Sequence, residues 1–235
     1  MKNLHISKRI LTVVSIALIC TVGSIFYFRS ANSNNTNLKK SVTDIPEKSE
    51  TKIIAFGDSL TAGYGLTLDE AYPAQLEVSL RKMGYAVSVI NSGVSGETSR
   101  GNKERAQFIA SQNGDIVILG IGGNDALRLL SVEDAKKNIK ETIDILKAGK
   151  TPPRSIVLLK MQAPLTAGLQ YKKNFDALYK EVAEEKGLVL VPFLTTELFL
   201  DSANRLPDGI HYNKEGYRKA VEMYVAPAIA KILKK

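Results

Sequence analysis

The chain has 235 residues, of which 44% are hydrophobic and 24% are charged. This composition is typical of globular proteins, and the length fits one medium-sized domain with an appendage. The formal net charge is +8, but the first 50 residues supply half of it, with seven Lys/Arg against three Asp/Glu. The rest is too weakly basic to indicate nucleic-acid binding. The lone cysteine, Cys20, excludes an intramolecular disulfide, and its apolar surroundings disfavour cysteine chemistry.

The first element in chain order is an apolar segment at residues 10–28 that carries no charge. As a helix it could span the roughly 30 Å core of a bilayer. Positive charge precedes it, so we expect residues 1–9 in the cytoplasm and the following domain outside the cell membrane. The segment is long for a cleaved signal, which favours an anchor over a secreted or periplasmic form. Residues 29–50 are polar and predict a flexible linker.

Beyond the linker, short apolar runs alternate with longer amphipathic stretches. Val- and Ile-rich strands separated by helices are typical of a parallel sheet covered on both faces. The pattern predicts strands at residues 52–56, 86–90, 116–119, 156–159 and 188–191. It predicts helices near residues 70–83, 100–111, 132–148, 170–186 and 214–233. Residues 51–235 are therefore expected to form a single three-layer α/β domain.

Four polar loops should open on one edge of this sheet, where open α/β sheets bind their ligands. Their sequences are GDSLTAG, NSGVSGETS, GIGGNDALR and PDGIHYN. Together they supply the groups that acyl transfer requires: a nucleophile, a base, an orienting carboxylate and donors for an oxyanion. These candidates are Ser59, His211, Asp208, Gly93 and Asn124.

His211 is the only histidine beyond the apolar segment, so a histidine base in this domain must be His211. Asp208 precedes it by three residues and could orient its ring. Ser59 follows the first predicted strand, where its hydroxyl and its own amide can both face a crevice. Each residue alone also fits a turn, a helix cap or a surface loop. The combination is more specific than its parts.

The blocks GDSLTAGYG, NSGVSGETS, GGNDALR and DGIH resemble the SGNH (GDSL) hydrolase family in order and spacing, most closely its bacterial thioesterases, lysophospholipases and arylesterases. The resemblance implies a flavodoxin-like sheet of five parallel strands and a hydrolase that needs no metal or other cofactor. It implies Ser59 as nucleophile and Asp208 and His211 as acid and base. The implied oxyanion donors are Ser59, Gly93 and Asn124. Family members often have proline directly after the histidine, whereas this chain has Tyr212. We expect this difference to affect the shape of the crevice rim and not the triad.

The implied substrates are acyl esters and thioesters, lysophospholipids among them. We expect such small-molecule or lipid esters as partners of a monomer that contacts the membrane through its N-terminal segment and binds no nucleic acid. Candidate substrate-contacting residues beside the nucleophile and the donor loop are Asp58, Leu60, Ala126, Leu127 and Pro164. Ala126 and Leu127 could instead belong to a buried first helical turn.

Three alternatives stay open. A carbohydrate O-deacetylase on the same fold would prefer acetylated glycan to longer acyl esters. A non-catalytic cell-surface binding domain would leave Ser59 unlabelled by a fluorophosphonate. A metallophosphoesterase would also place acidic, amide and imidazole groups at strand ends, although a single histidine supplies a two-metal site poorly. Its ligands would come from Asp58, Asn91, Asn124, Asp125 and His211.

Overall fold

The computed structural model describes residues 50–149, 151–153 and 155–234. Its centre is a sheet of five parallel strands in the order β2-β1-β3-β4-β5. The strands are β1 (Thr51–Gly57), β2 (Val87–Gly93), β3 (Ile116–Gly120), β4 (Ser155–Lys160) and β5 (Val189–Pro192). This is the strand order of flavodoxin-like folds. The predicted α/β class and five-stranded parallel sheet are therefore confirmed.

Helices connect the strands and cover the sheet. They are α1 (Ser59–Ala62), α2 (Tyr72–Lys82), α3 (Ser99–Ser111), α4 (Gly123–Leu127), α5 (Val132–Lys147), α6 (Leu169–Lys186), α7 (Thr196–Leu200), α8 (Lys214–Ala220) and α9 (Ala226–Leu233). Residues 214–233 are helical throughout, as predicted, with a π-helical turn, Val221–Val225, between α8 and α9. Pro227 lies at the start of α9 and lacks the N–H that an α-helical ladder needs there.

The central strands are buried on both faces, which explains their continuous apolar sequences. Every residue of β3 is buried, as are the residues of β1 from Ile53 onward. Right-handed crossovers place α2 on one face of the sheet and α3, α5 and α6 on the other, because the chain reverses its direction across the sheet after β2. The carboxyl ends of β1 and β3 lie at this reversal, where doubly wound sheets form their ligand crevice.

The predicted cytoplasmic residues 1–9, the apolar segment 10–28 and nearly all of the linker 29–50 lie outside the described residues. Their boundaries and the membrane anchor stay predictions. No helix within the described ranges has the length and hydropathy that a membrane crossing requires.

Candidate active site

Ser59 lies in the tight turn between β1 and α1. The strand ends at Gly57, and Asp58 caps the helix by accepting a hydrogen bond from the Leu60 N–H at 3.0 Å. A side chain at Gly57 would collide with Thr61 and with the Gly120 carbonyl, so glycine lets the turn pack closely against β3. Ser59 therefore starts a helix at the carboxyl end of a central strand, where its first-turn N–H has no intrahelical acceptor.

The structure brings Ser59, His211 and Asp208 together across 152 residues of sequence. His211 Nε2 lies 2.8 Å from Ser59 Oγ, and His211 Nδ1 lies 2.6 Å from Asp208 Oδ2. With Nδ1 donating to the carboxylate, Nε2 is free to accept the serine proton. The hydroxyl, imidazole and carboxylate thus form one hydrogen-bonded series, the arrangement that activates a serine nucleophile.

Asp208 is held by the backbone of the loop that carries the histidine. Its Oδ1 accepts hydrogen bonds from the N–H groups of Ile210 at 2.8 Å and His211 at 3.0 Å. Partial burial acts in the opposite direction, but these bonds and the bond to the His211 ring keep the pKa of Asp208 below its ordinary value. Asp208 is therefore ionised at neutral pH and suited to orient and stabilise a protonated imidazole.

Tyr212 lies in the core and not at the crevice rim. Its side chain is fully buried, and its hydroxyl donates to the Phe193 carbonyl at 3.2 Å. The aromatic residue beside the histidine is instead Tyr64, whose ring centroid is 4.8 Å from that of His211. Sequence reasoning missed Tyr64, although it lies in the GDSLTAGYG block. It packs on the imidazole and limits the ring's freedom.

Asn124 lies in α4 and contacts the loop after β2. One hydrogen of its side-chain amide is donated to the Glu97 carbonyl at 3.0 Å. The other amide hydrogen is available to a ligand, because an asparagine amide carries two. Gly122, just before α4, adopts a φ of +100°, which disfavours other residues there. The loop therefore presents a fixed side-chain donor beside Ser59.

Gly93 does not fit the predicted oxyanion role. It is the last residue of β2, and its N–H donates to Asn91 Oδ1 at 3.0 Å. A side chain at Gly93 would collide with the backbone of Ala62, so glycine is required there for packing. The block NSGVSGETS contains two glycines, and the sequence alone could not show which one packs against the backbone and which one offers a free N–H to an oxyanion.

That second glycine is Gly96, which has a φ of +82°. Its carbonyl accepts a hydrogen bond from Arg128 Nη2 at 2.8 Å, and the next carbonyl, that of Glu97, accepts from Asn124. Within the described residues the Gly96 N–H has no hydrogen-bond acceptor. Gly96 is thus tied to the Asn124 loop from two sides and retains a free backbone donor.

A bidentate ion pair anchors this loop to the sheet. Arg105 of α3 donates through Nε and Nη2 to the two carboxylate oxygens of Glu97, at 2.7 and 2.6 Å. Its Nη2 also lies 3.2 Å from the Ser92 carbonyl, and its guanidinium carbon lies 4.9 Å from the centroid of the Phe56 ring. We call Glu97 and Arg105 the clamp. The clamp joins the ends of β1 and β2 to the loop that carries Gly96.

Asp125 and Asp58 are buried carboxyl groups beside the site. Asp125 accepts hydrogen bonds from the N–H and the hydroxyl of Ser99, at 2.7 and 2.6 Å. Asp58 accepts from Leu60, whereas its Oδ2 is buried against Gly123 without a partner. Burial, with repulsion from other carboxylates, raises the pKa of Asp58 to about 7. No three His, Cys, Asp or Glu side chains of the described ranges are grouped to hold a metal ion.

A cavity of about 340 Å³ opens over Ser59, Asn124 and His211. Four of the five candidate substrate-contacting residues line this cavity: Asp58, Leu60, Leu127 and Pro164. Ala126 does not line the cavity, because it is 1% exposed and packs in the core. For this residue the alternative of a buried first helical turn is the one that fits. Much of the cavity lining is apolar, and we call its apolar residues the apolar wall: Leu127, Pro164, Leu165, Leu194, Phe199, Leu200 and Ile210.

This fold and this site match a known class of enzyme. Residues 55–219 match the model of the GDSL-like lipase/acylhydrolase family, and the chain belongs to that family. It is accordingly a serine hydrolase that acts on ester bonds.

Individual relatives agree with this assignment. The chain is 30% identical over 164 residues to thioesterase 1/protease 1/lysophospholipase L1 of Escherichia coli K12, covering 69% of this chain and 76% of the relative. It is 28% identical over 183 residues to an arylesterase of Vibrio mimicus, covering 77% and 90%. Among solved structures, the SGNH-hydrolase esterase AlinE4 is 36% identical with a TM-score of 0.64, covering 78% of this chain and 97% of that one.

Proposed function

We propose that the chain hydrolyses carboxylic esters and thioesters by using Ser59 as nucleophile, His211 as general base and acid, and Asp208 as the orienting carboxylate. The observation that carries this proposal is the hydrogen-bonded series from Ser59 Oγ through His211 to Asp208, which opens into the apolar cavity. The similarity to a thioesterase/lysophospholipase and to an arylesterase supports both bond types.

In the first half of the reaction, Ser59 Oγ attacks the acyl carbonyl carbon while His211 Nε2 takes the hydroxyl proton. The carbonyl oxygen becomes an oxyanion. The protonated imidazole then gives its proton to the leaving alcohol or thiol, and the carbonyl re-forms as a Ser59 ester. In the second half, His211 takes a proton from water, the hydroxide attacks the acyl-enzyme, and Ser59 Oγ leaves with the proton from His211.

The oxyanion needs donors that are already in place before the reaction. We assign the Ser59 N–H, the free amide hydrogen of Asn124 and the Gly96 N–H. Gly96 replaces Gly93 in this set because the Gly93 N–H is already donated to Asn91. The clamp and the bond from Asn124 to the Glu97 carbonyl support this arrangement by holding Gly96 beside Asn124.

The apolar wall supports an acyl chain longer than acetyl as the preferred group, because each methylene buried there contributes about 0.8 kcal/mol to binding. Lysophospholipids and acyl thioesters belong to this substrate class. The O-deacetylase alternative predicts the reverse preference, for acetylated glycan. Rates on a series of nitrophenyl esters from acetyl to octanoyl, beside rates on acetylated xylan, compare the two.

The triad is tested with Ser59→Ala, His211→Ala and the double variant. Because the three side chains act as one unit, each single change should lower kcat by roughly 10⁴–10⁶-fold, and the double variant should lose little more. Ser111→Ala changes an exposed serine at the end of α3 and serves as the matched control. A fluorophosphonate should label wild type and Ser111→Ala but not Ser59→Ala. Labelling of Ser59→Ala, or losses that multiply in the double variant, would contradict the proposal.

A further inference from the structure

Arg205 lies at the wall of the active-site cavity. Its guanidinium carbon is 5.3 Å from the centroid of the Phe199 ring, and its Nη1 donates to the Gly209 carbonyl at 3.3 Å. Phe199 and Gly209 both line the cavity, as does Arg205 itself. The guanidinium is therefore held between two residues that line the same cavity as Ser59 and His211.

The charge of Arg205 is not neutralised by the protein. Across the part of the chain that the structure describes, no carboxylate forms an ion pair with it, and its Nε is buried without an acceptor. A guanidinium offers five N–H donors, and within the described residues the Arg205 guanidinium forms one hydrogen bond, to Gly209. Retaining a partly buried cation without a counter-charge costs stability, since charges are normally paired when they leave water.

The other cation at the wall is different. Lys172 Nζ lies 2.7 Å from Asp176 Oδ2 and donates to the Ala163 carbonyl at 2.9 Å, so its charge is compensated within the protein. Among the described residues that line the cavity, Asp58 supplies the one carboxyl group, and burial raises its pKa to about 7. The cavity therefore carries an excess of positive charge near neutral pH, and Arg205 is its source.

We propose that Arg205 binds an anionic group, a phosphate or a carboxylate, carried by the ester substrate. The inference rests on the proposed function and names its substrate class: acyl esters with one anionic end. The planar fork of an arginine matches the paired oxygens of either anion and forms two parallel hydrogen bonds with them. The cavity thus offers an apolar wall for the acyl chain and a cation for the charged end.

A purely structural role for Arg205 makes a different prediction. Its bond to Gly209 reaches the loop that carries Asp208 and His211, so Arg205 could act only by holding that loop. Its removal would then lower kcat equally for charged and neutral esters. A binding role changes KM, and only for charged ones.

The test compares two matched pairs of substrates. Octanoylglycerol phosphate and octanoylglycerol differ by a phosphate on the leaving group, whereas the nitrophenyl half-ester of adipic acid and nitrophenyl hexanoate differ by a carboxylate on the acyl chain. Arg205→Met should lower kcat/KM by about tenfold to a hundredfold for the charged member of one pair, mainly through KM, and leave its neutral partner unchanged. The pair that responds identifies the anion and the end of the ester that carries it.

Arg205→Lys keeps the charge without the fork and should fall between wild type and Arg205→Met. Arg100→Met removes an exposed arginine of α3 and should match wild type. Fluorophosphonate labelling of each variant shows that Ser59 and His211 remain functional. Independently of any variant, added salt should raise the KM of wild type for the charged ester only.

Equal losses on both members of each pair, or no loss on either, would overturn the role of Arg205. A wild-type enzyme that hydrolyses the neutral esters but neither charged ester would also overturn it, while leaving the proposed esterase function standing. A wild-type protein that hydrolyses none of the four esters and resists labelling at Ser59 would refute the proposed function itself.

Discussion

Asn124 combines a chemical and a structural role in one side chain. If its free amide hydrogen binds the oxyanion, that bond strengthens as negative charge develops, so the side chain stabilises the transition state more than the bound substrate. We expect Asn124→Ala to lower kcat by roughly 10²–10³-fold, with a small change in KM. Kinetics on a short aryl ester measure both quantities, and slow fluorophosphonate labelling should survive.

The matched control for this change is Asn174→Ala, which removes an exposed asparagine of α6. Thermal melting of both variants separates a catalytic loss from a folding defect. An Asn124→Ala variant that melts normally and retains near-wild-type kcat would remove Asn124 from the oxyanion site.

Asp58 makes the stability of the domain depend on pH. Burial raises its pKa from 3.8 to about 7, so the folded state binds a proton that the unfolded state has released. Between these values the free energy of unfolding must therefore decrease as the pH rises. Asp58→Asn retains an acceptor for the Leu60 N–H and does not titrate, so it should stabilise the protein at about pH 8, by at most on the order of 4 kcal/mol, relative to its effect at about pH 4.

Urea unfolding of both proteins at the two pH values measures this difference. Asp208 titrates in the opposite sense: its pKa is lowered, so its contribution is lost as the pH falls. Because Asp208 is present in both proteins, its contribution cancels in the comparison. If the free energy of unfolding had the same pH dependence in the wild type and in Asp58→Asn, the pKa of Asp58 would not be raised by folding, and Asp58 would be ionised in the folded protein at neutral pH.

At the scale of secondary-structure elements, the clamp couples β1, β2 and α3 to the loop that carries Gly96. Glu97→Gln or Arg105→Met leaves a partly buried charged partner uncompensated and should lower the free energy of unfolding by about 1–3 kcal/mol. The double variant should lose less than the sum of the two, because each single change already breaks the same contact.

Denaturant unfolding of the four proteins gives the coupling energy. The exposed pair of Arg100 and Glu104 in the same helix is the control, and Glu104→Gln should cost at most about 0.5 kcal/mol. The clamp variants should also lower kcat, since they release the loop that holds Gly96 beside Asn124. Additive losses would mean that Glu97 and Arg105 do not act as one unit.

For the whole molecule, we propose that residues 10–28 anchor an external hydrolase domain in the cell membrane. The hydrophobic core of the described residues runs from Ile53 to Ile232, so a chain shortened to begin at Glu50 should fold and hydrolyse esters at the full-length rate. The full-length protein should stay in the membrane fraction after a high-salt wash. Loss of folding or activity on shortening would contradict this division, and recovery of a soluble form that begins near residue 32 would favour signal cleavage.

Much of the fold could be predicted from the sequence because burial on both faces requires unbroken apolar residues. The strand predicted at residues 116–119 is observed at Ile116–Gly120, and the strand predicted at residues 52–56 is observed at Thr51–Gly57. The helical stretch over residues 214–233 was also predicted, but the π turn before Pro227 was not, since the apolar periodicity continues through that turn. The loop after β2 was also shorter than predicted, because its first three residues pair with β1 as part of the strand.

The sequence by itself determined the chemical groups at the site: a serine after the first strand, one available histidine and an aspartate three residues before it. These identities depend on residue type and local order, which the chain carries directly. Only the tertiary structure decided which of two nearby glycines has a free N–H, which aromatic ring packs on His211, and that Arg205 has no carboxylate partner among the described residues. Each of these depends on atoms from segments far apart in the chain, and their distances exist only once the sheet order has brought the segments together.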